Sequence, residues 1–181
     1  PAPPCQGGEI GEVKRGLEGS ADKKITVLGL GNILLRDEGV GVHAIEELRK
    51  AYDFPENVEI IDGGTMGLDL LPFIEDADKL LIVDAVNLKK APGTIAIIED
   101  SDIPAFVSTK LSIHQIGLPD VIYALKLMDL TPPRMTLIGI QPESLETGLG
   151  MSGAINSNFG QLLNAIIGKL NAWGVEIKCK K

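Results

Sequence analysis

Only two cysteines occur in the chain, Cys5 and Cys179, near opposite ends. Their separation excludes a zinc ribbon, a Cys-x-x-Cys redox pair and a disulfide-dense scaffold, and two idle thiols in a reducing cytosol are expected. Histidine is as scarce: His43 and His114 stand alone, and no His-Glu-x-x-His zinc helix exists. No apolar run approaches the roughly 20 residues needed to cross a membrane. Residues 1–22 are rich in Gly, Pro and charge and lack the apolar centre of a secretion signal. They read as a flexible extension, leaving 23–181 as one domain and the cytoplasm as the expected location. Bases are in deficit, 17 against 25 acids, for a net charge of −8. That balance disfavours nucleic acid and anionic membranes as partners. Also missing are a Gly-Lys-Ser/Thr phosphate loop, a Gly-x-Ser-x-Gly elbow and an activating context for either cysteine.

What is present is a core-forming chain of 181 residues, 44% of them hydrophobic. Branched aliphatic runs predict strands at Ile25–Leu30, Val58–Ile61, Lys79–Val83, Thr94–Ile98 and Met135–Ile140. Helical patterns lie between and after them, at Glu38–Tyr52, about 67–74, Gly117–Leu127 and Asn156–Trp173. In the last, Phe159, Leu162, Leu163, Ile166, Ile167 and Leu170 recur at i, i+3, i+4 spacing. Strands alternating with helices imply an α/β fold: a single-domain three-layer sandwich, its five-stranded sheet mostly parallel, with helices on both faces. One connection breaks the pattern. Between Asp84 and Thr94 the chain is too short for a parallel crossover, so the fourth strand is expected to be antiparallel to the third. Residues 100–113 then return to the carboxyl edge and deliver His114 there, ahead of a helix. No exposed heptad or long unpaired edge is evident, so a monomer is expected.

The chemistry concentrates at that edge. Glu38 follows the first strand, Asp62 the second, and Asp84 closes the third. Ligands of open α/β sheets bind beyond the carboxyl ends of the strands. Each residue also has a plainer reading. Asp62 precedes Gly63-Gly64-Thr65 and reads equally as a turn or capping residue. Asp37 reads as a helix cap, and Glu38 as a complement to its helix dipole. Asp84 is harder to dismiss, because a carboxylate closing Leu80-Leu81-Ile82-Val83 faces burial and needs a partner. Two carboxylates and an imidazole can hold a transition metal with positions left open, and an imidazole near a helix N-terminus is biased toward its neutral, coordinating form. A dinucleotide site is the rival: Gly29-Leu30-Gly31 starts the fingerprint, but Leu34 stands where its third glycine should fall.

The phrases GLGNILLRDEGVGV (Gly29–Val42), EIIDGGTMGLDLL (Glu59–Leu71), LIVDAV (Leu81–Val86), APGT (Ala91–Thr94), LSIHQIGLPDVI (Leu111–Ile122) and LIGIQPESLE (Leu137–Glu146) occur in that order. In them the chain resembles the hydrogenase maturation endopeptidases over about 24–175. That family trims the carboxyl terminus of nickel–iron hydrogenase large subunits after nickel insertion. The resemblance implies Glu38, Asp84 and His114 as the metal-recognition residues and Asp62 as a residue of activity, a candidate general base. It implies nickel supplied by the substrate precursor, with no organic cofactor, and that precursor as the partner. A non-catalytic nickel-centre chaperone would share the same ligands and is the alternative. The first 22 residues have no family counterpart, and the match weakens after Glu146.

Overall fold

In the computed structural model, residues 23–104 and 117–180 are described. The elements are β1 (Ile25–Leu30), α1 (Val40–Ala51), β2 (Tyr52–Asp53), β3 (Val58–Gly64), α2 (Leu71–Ile74), β4 (Lys79–Ala85), β5 (Ile95–Glu99), α3 (Leu118–Leu127), β6 (Arg134–Ile140), α4 (Gly153–Ala172) and β7 (Lys178–Cys179). Five strands form one sheet in the order β3-β1-β4-β6-β5. The β1–β3, β1–β4 and β4–β6 pairs are parallel, and β5 runs antiparallel to β6 at the edge. The expected direction of the fourth strand of the sheet, β5, holds, although its hydrogen-bonded neighbour is β6.

Alternation along the strands builds two cores. Ile25, Val27, Leu81, Val83, Ile138 and Ile140 pack with the apolar faces of α1 and α4. Leu28, Leu30, Leu80, Ile82, Met135 and Leu137 pack on the other side with α3 and the segment around α2. Strands buried on both faces explain why β1, β4 and β6 read as continuous aliphatic runs with little alternation. Ser152 caps α4 by accepting a hydrogen bond from the Ile155 N–H (3.4 Å).

Two features differ from expectation. The helix anticipated from Glu38 is split into a 3₁₀ turn at Arg36–Gly39 followed by α1. In addition, β2 and β7 pair antiparallel as a two-residue ladder, Tyr52 opposite Cys179. Cys179 is disulfide-bonded, correcting the expectation of an idle thiol. Among the described residues, no helix is long and apolar enough to cross a membrane.

Candidate functional site

The site is shaped first by glycine. Gly31, at φ 122°, takes a backbone conformation that side chains disfavour, and a Cβ there would fall on the Glu38 carbonyl. A Cβ on Gly41 would strike the carbonyls of Leu30 and Val83. These positions let the 3₁₀ turn and the start of α1 lie directly on the carboxyl ends of β1 and β4. The glycines therefore serve the approach of backbone to backbone, which accounts for a Gly-x-Gly turn without the third glycine of a dinucleotide loop.

That approach buries Glu38, which is 9% exposed. Its Oε2 has no hydrogen-bond partner among the described residues, and burial pushes its carboxyl above the ordinary range. Asp84, the penultimate residue of β4, accepts one hydrogen bond through Oδ1 from the Ala85 N–H (2.8 Å). Burial drives its carboxyl up to about 7, and the neighbouring charge of Glu38 adds to the rise. The two carboxylates are therefore close enough to repel. Neither has an ion-pair partner among the described residues. Two neighbouring carboxylates, one buried and one half-buried, offer oxygen donors of the kind a divalent cation accepts.

Asp62 reaches the same edge, opposite Gly29 on the β1–β3 ladder, with Val83 opposite Gly29 on the other side. It is exposed, and its Oδ1 accepts from the Gly64 N–H (3.1 Å), the turn geometry expected of Asp-Gly-Gly. Strand alternation sets it on the side of Val58 and Ile60, and Asp84 on the side of Leu80 and Ile82. Glu38, and not Asp62, is the charge that acts on Asp84. His114 lies outside the described residues. Within the described residues, no group of three His, Cys, Asp or Glu side chains is gathered for a metal. His43 makes a 3.8 Å contact from Nδ1 to Glu46 on its own helix.

Asp37 is the residue whose role the sequence concealed. It makes no cap hydrogen bond on its own turn. Instead it is fully buried and accepts from the backbone N–H groups of Glu143 (2.9 Å), Ser144 (2.9 Å) and Ser152 (2.6 Å). Those donors hold its carboxyl below its ordinary value despite the opposing effect of burial. Asp37 thus ties the loop between β6 and α4 to the turn that carries Glu38. Its neighbour Arg36 sits at φ 50° and bonds through its N–H to the Gly148 carbonyl (3.1 Å). No local signal marks these contacts, because the donors lie more than a hundred residues downstream.

The fold that carries this turn is shared with solved hydrogenase maturation endopeptidases. The HycI hydrogenase maturation protease family pattern matches residues 42–169, and the chain belongs to that family. It is 44% identical over 154 residues to the hydrogenase 2 maturation protease of Escherichia coli K12, covering 84% of this chain and 94% of that protein. It is 43% identical over 157 residues to the hydrogenase expression/formation protein HupD of Rhodobacter capsulatus, covering 86% and 75%. The structure of the E. coli hydrogenase maturating endopeptidase HybD superposes with a TM-score of 0.81 at 42% identity, covering 87% of this chain and 98% of that one.

Proposed function

We propose that this chain is an endopeptidase that removes the C-terminal extension of a nickel–iron hydrogenase large-subunit precursor after nickel insertion. In this reading Glu38, Asp84 and His114 recognise the nickel that the precursor carries. The observation that supports it is the Glu38–Asp84 pair, one buried and one half-buried carboxylate with no cationic partner among the described residues. A pair left in that condition is relieved when a docking partner brings a divalent ion, and not before.

The reaction follows from what each residue offers. Near neutral pH the Asp84 carboxyl holds a proton for part of the time. Docking of the nickel-bearing precursor displaces that proton and fixes the orientation of the client chain. Nickel already in the substrate supplies Lewis acidity at the scissile carbonyl. Asp62, exposed at the same edge, is the candidate base for an attacking water. Asp37 keeps the Glu38 turn and the 143–152 loop in register while the partner binds. A precursor without nickel meets two repelling carboxylates and gains nothing by docking, which makes metal insertion the gate for cleavage.

Mass spectrometry of the precursor tests the reading. Nickel-loaded and nickel-free precursors are incubated with the parent chain and with Glu38→Gln, Asp84→Asn and His114→Ala. Release of one C-terminal peptide is expected only with nickel and the intact residues. Equal cleavage without nickel would remove the gate while leaving the peptidase, and tight binding without cleavage would instead identify a nickel-centre chaperone.

A further inference from the structure

The opposite edge of the sheet carries a second concentration of charge. A partly open cavity of about 430 Å³ lies there, lined in part by Lys23, Asp78, Lys79, Arg134 and Trp173. Lys79 and Arg134 are partners on the first rung of the β4–β6 ladder. Like charges on neighbouring strands repel, and in a chain of net charge −8 such a pairing calls for a reason. Part of the reason is local. The Lys79 ammonium donates to the Trp173 carbonyl (3.2 Å) at the end of α4 and stands 5.5 Å from the Trp173 ring centre. Lys169 stands 5.2 Å from the same ring and pairs with Glu99 at 2.6 Å. Both cations complement the negative end of the α4 dipole.

Arg134 acts on Glu99 across the β5–β6 pair only through its charge, and Lys23 has no role in that account. Among the described residues neither side chain makes a hydrogen bond or an ion pair, although both line the cavity. Asp78, the acid in the lining, accepts from the Lys24 backbone N–H (2.8 Å) and offsets part of the positive charge on Lys79. Burial, followed by the charges of Lys23 and Arg134, pushes the Lys79 ammonium below its ordinary value. Lys23, Lys79, Arg134 and Lys169 outnumber Asp78 and Glu99 here, beside an aromatic face and in a space large enough for a small ligand.

We propose that this cavity binds a small oxyanion, a carboxylate or a phosphate, between Lys23, Arg134 and the Lys79–Trp173 pair. Arg134 offers the planar fork that matches either group in bidentate fashion, with Lys23 as a movable point charge. Lys79 and Asp84 are five residues apart on β4, about 17 Å along the strand. The cavity is thus separate from the carboxylate site and does not depend on the peptidase reading.

Trp173 is the only tryptophan in the chain and lines the cavity, so its emission reports on binding there. Inorganic phosphate and citrate are titrated into the full-length protein against sodium chloride at equal ionic strength. A saturable change in emission is expected with at least one of them, and the probe that saturates first identifies the class. Arg134→Gln and Lys23→Gln should each weaken that binding about tenfold, as loss of one charge-assisted hydrogen bond predicts. Arg134 is an exposed first residue of its strand, so its replacement spares both cores. The Trp173 indole N–H resonance gives a second readout should either variant fold poorly. A chloride-like drift with both probes, or variants that titrate as the parent does, would overturn the proposal.

Discussion

Asp84→Asn should make the protein more stable while ending its proposed activity. The variant keeps the Oδ1 that accepts from the Ala85 N–H and removes only the charge. A carboxyl carried from 3.8 to about 7 on folding weakens the ionised folded state by about 4 kcal/mol, at about 1.4 kcal/mol per pH unit. Asp84 keeps some contact with solvent, and screening there reduces the effect to about 2 kcal/mol. The sign follows from proton binding. Between 3.8 and about 7 the folded chain holds more protons at this position than the unfolded chain, so the parent loses stability as pH rises. The advantage of Asp84→Asn is therefore absent below 3.8, grows through that window and is constant above about 7. In a domain of this size about 2 kcal/mol raises Tm by about 4–8 °C. Thermal and urea unfolding at about pH 5 and about pH 8, with a chelator present, reads the difference. A variant no more stable than the parent at the higher pH, or equally stabilised at both, would refute the argument that Asp84 is a strained, unpaired charge.

The remaining predictions concern what holds the site in place. Asp37→Ala leaves three backbone N–H groups without their acceptor and should lower stability by about 3 kcal/mol in urea unfolding. Because the Asp37 carboxyl is depressed on folding, its contribution is present above 3.8 and is lost as pH falls through its lower folded value. An Asp37→Ala variant that matched the parent at neutral pH would remove its structural role. Gly41→Ala drives a methyl into the Leu30 and Val83 carbonyls, and a loss of about 2 kcal/mol together with impaired precursor cleavage is expected. Leu28→Ala, at a fully buried position beneath α3, should lower stability by about 3 kcal/mol. Its cleavage of precursor, measured well below its Tm, should be preserved.

Much of the fold was legible because local and global signals agree. The aliphatic runs of β1, β4 and β6 are long and buried on both faces, so composition alone marks them, and the short Asp84–Thr94 connection fixes the direction of β5. That β5 lies beside β6 was not legible, since edge placement depends on a pairing some forty residues away, Ile98 with Leu137. The Tyr52–Cys179 ladder is two residues long and carries no periodicity. At the site, the carboxylate at Asp84 announced itself because an acid ending an apolar strand has nowhere to hide. Asp37 did not, because a buried acceptor for distant backbone N–H groups looks, in sequence, like any acid before a helix.

The contrast between those two adjacent-looking acids explains the chemistry of the edge. Asp37 and Asp84 are both desolvated, yet three N–H donors pull the Asp37 carboxyl down, while Asp84 has one donor and a repelling neighbour and is driven up. Burial alone therefore does not make a reactive carboxylate here; the supply of hydrogen bonds decides. Asp37 spends its charge on structure and tolerates its surroundings without any cation. Glu38, the next residue, keeps one oxygen unpartnered among the described residues of the same packed region. A polypeptide selected only for stability would fill that vacancy with a lysine or remove the charges. Retaining both at a glycine-packed edge leaves like charges that no cation among the described residues offsets, the feature on which the proposed recognition of the client's metal rests.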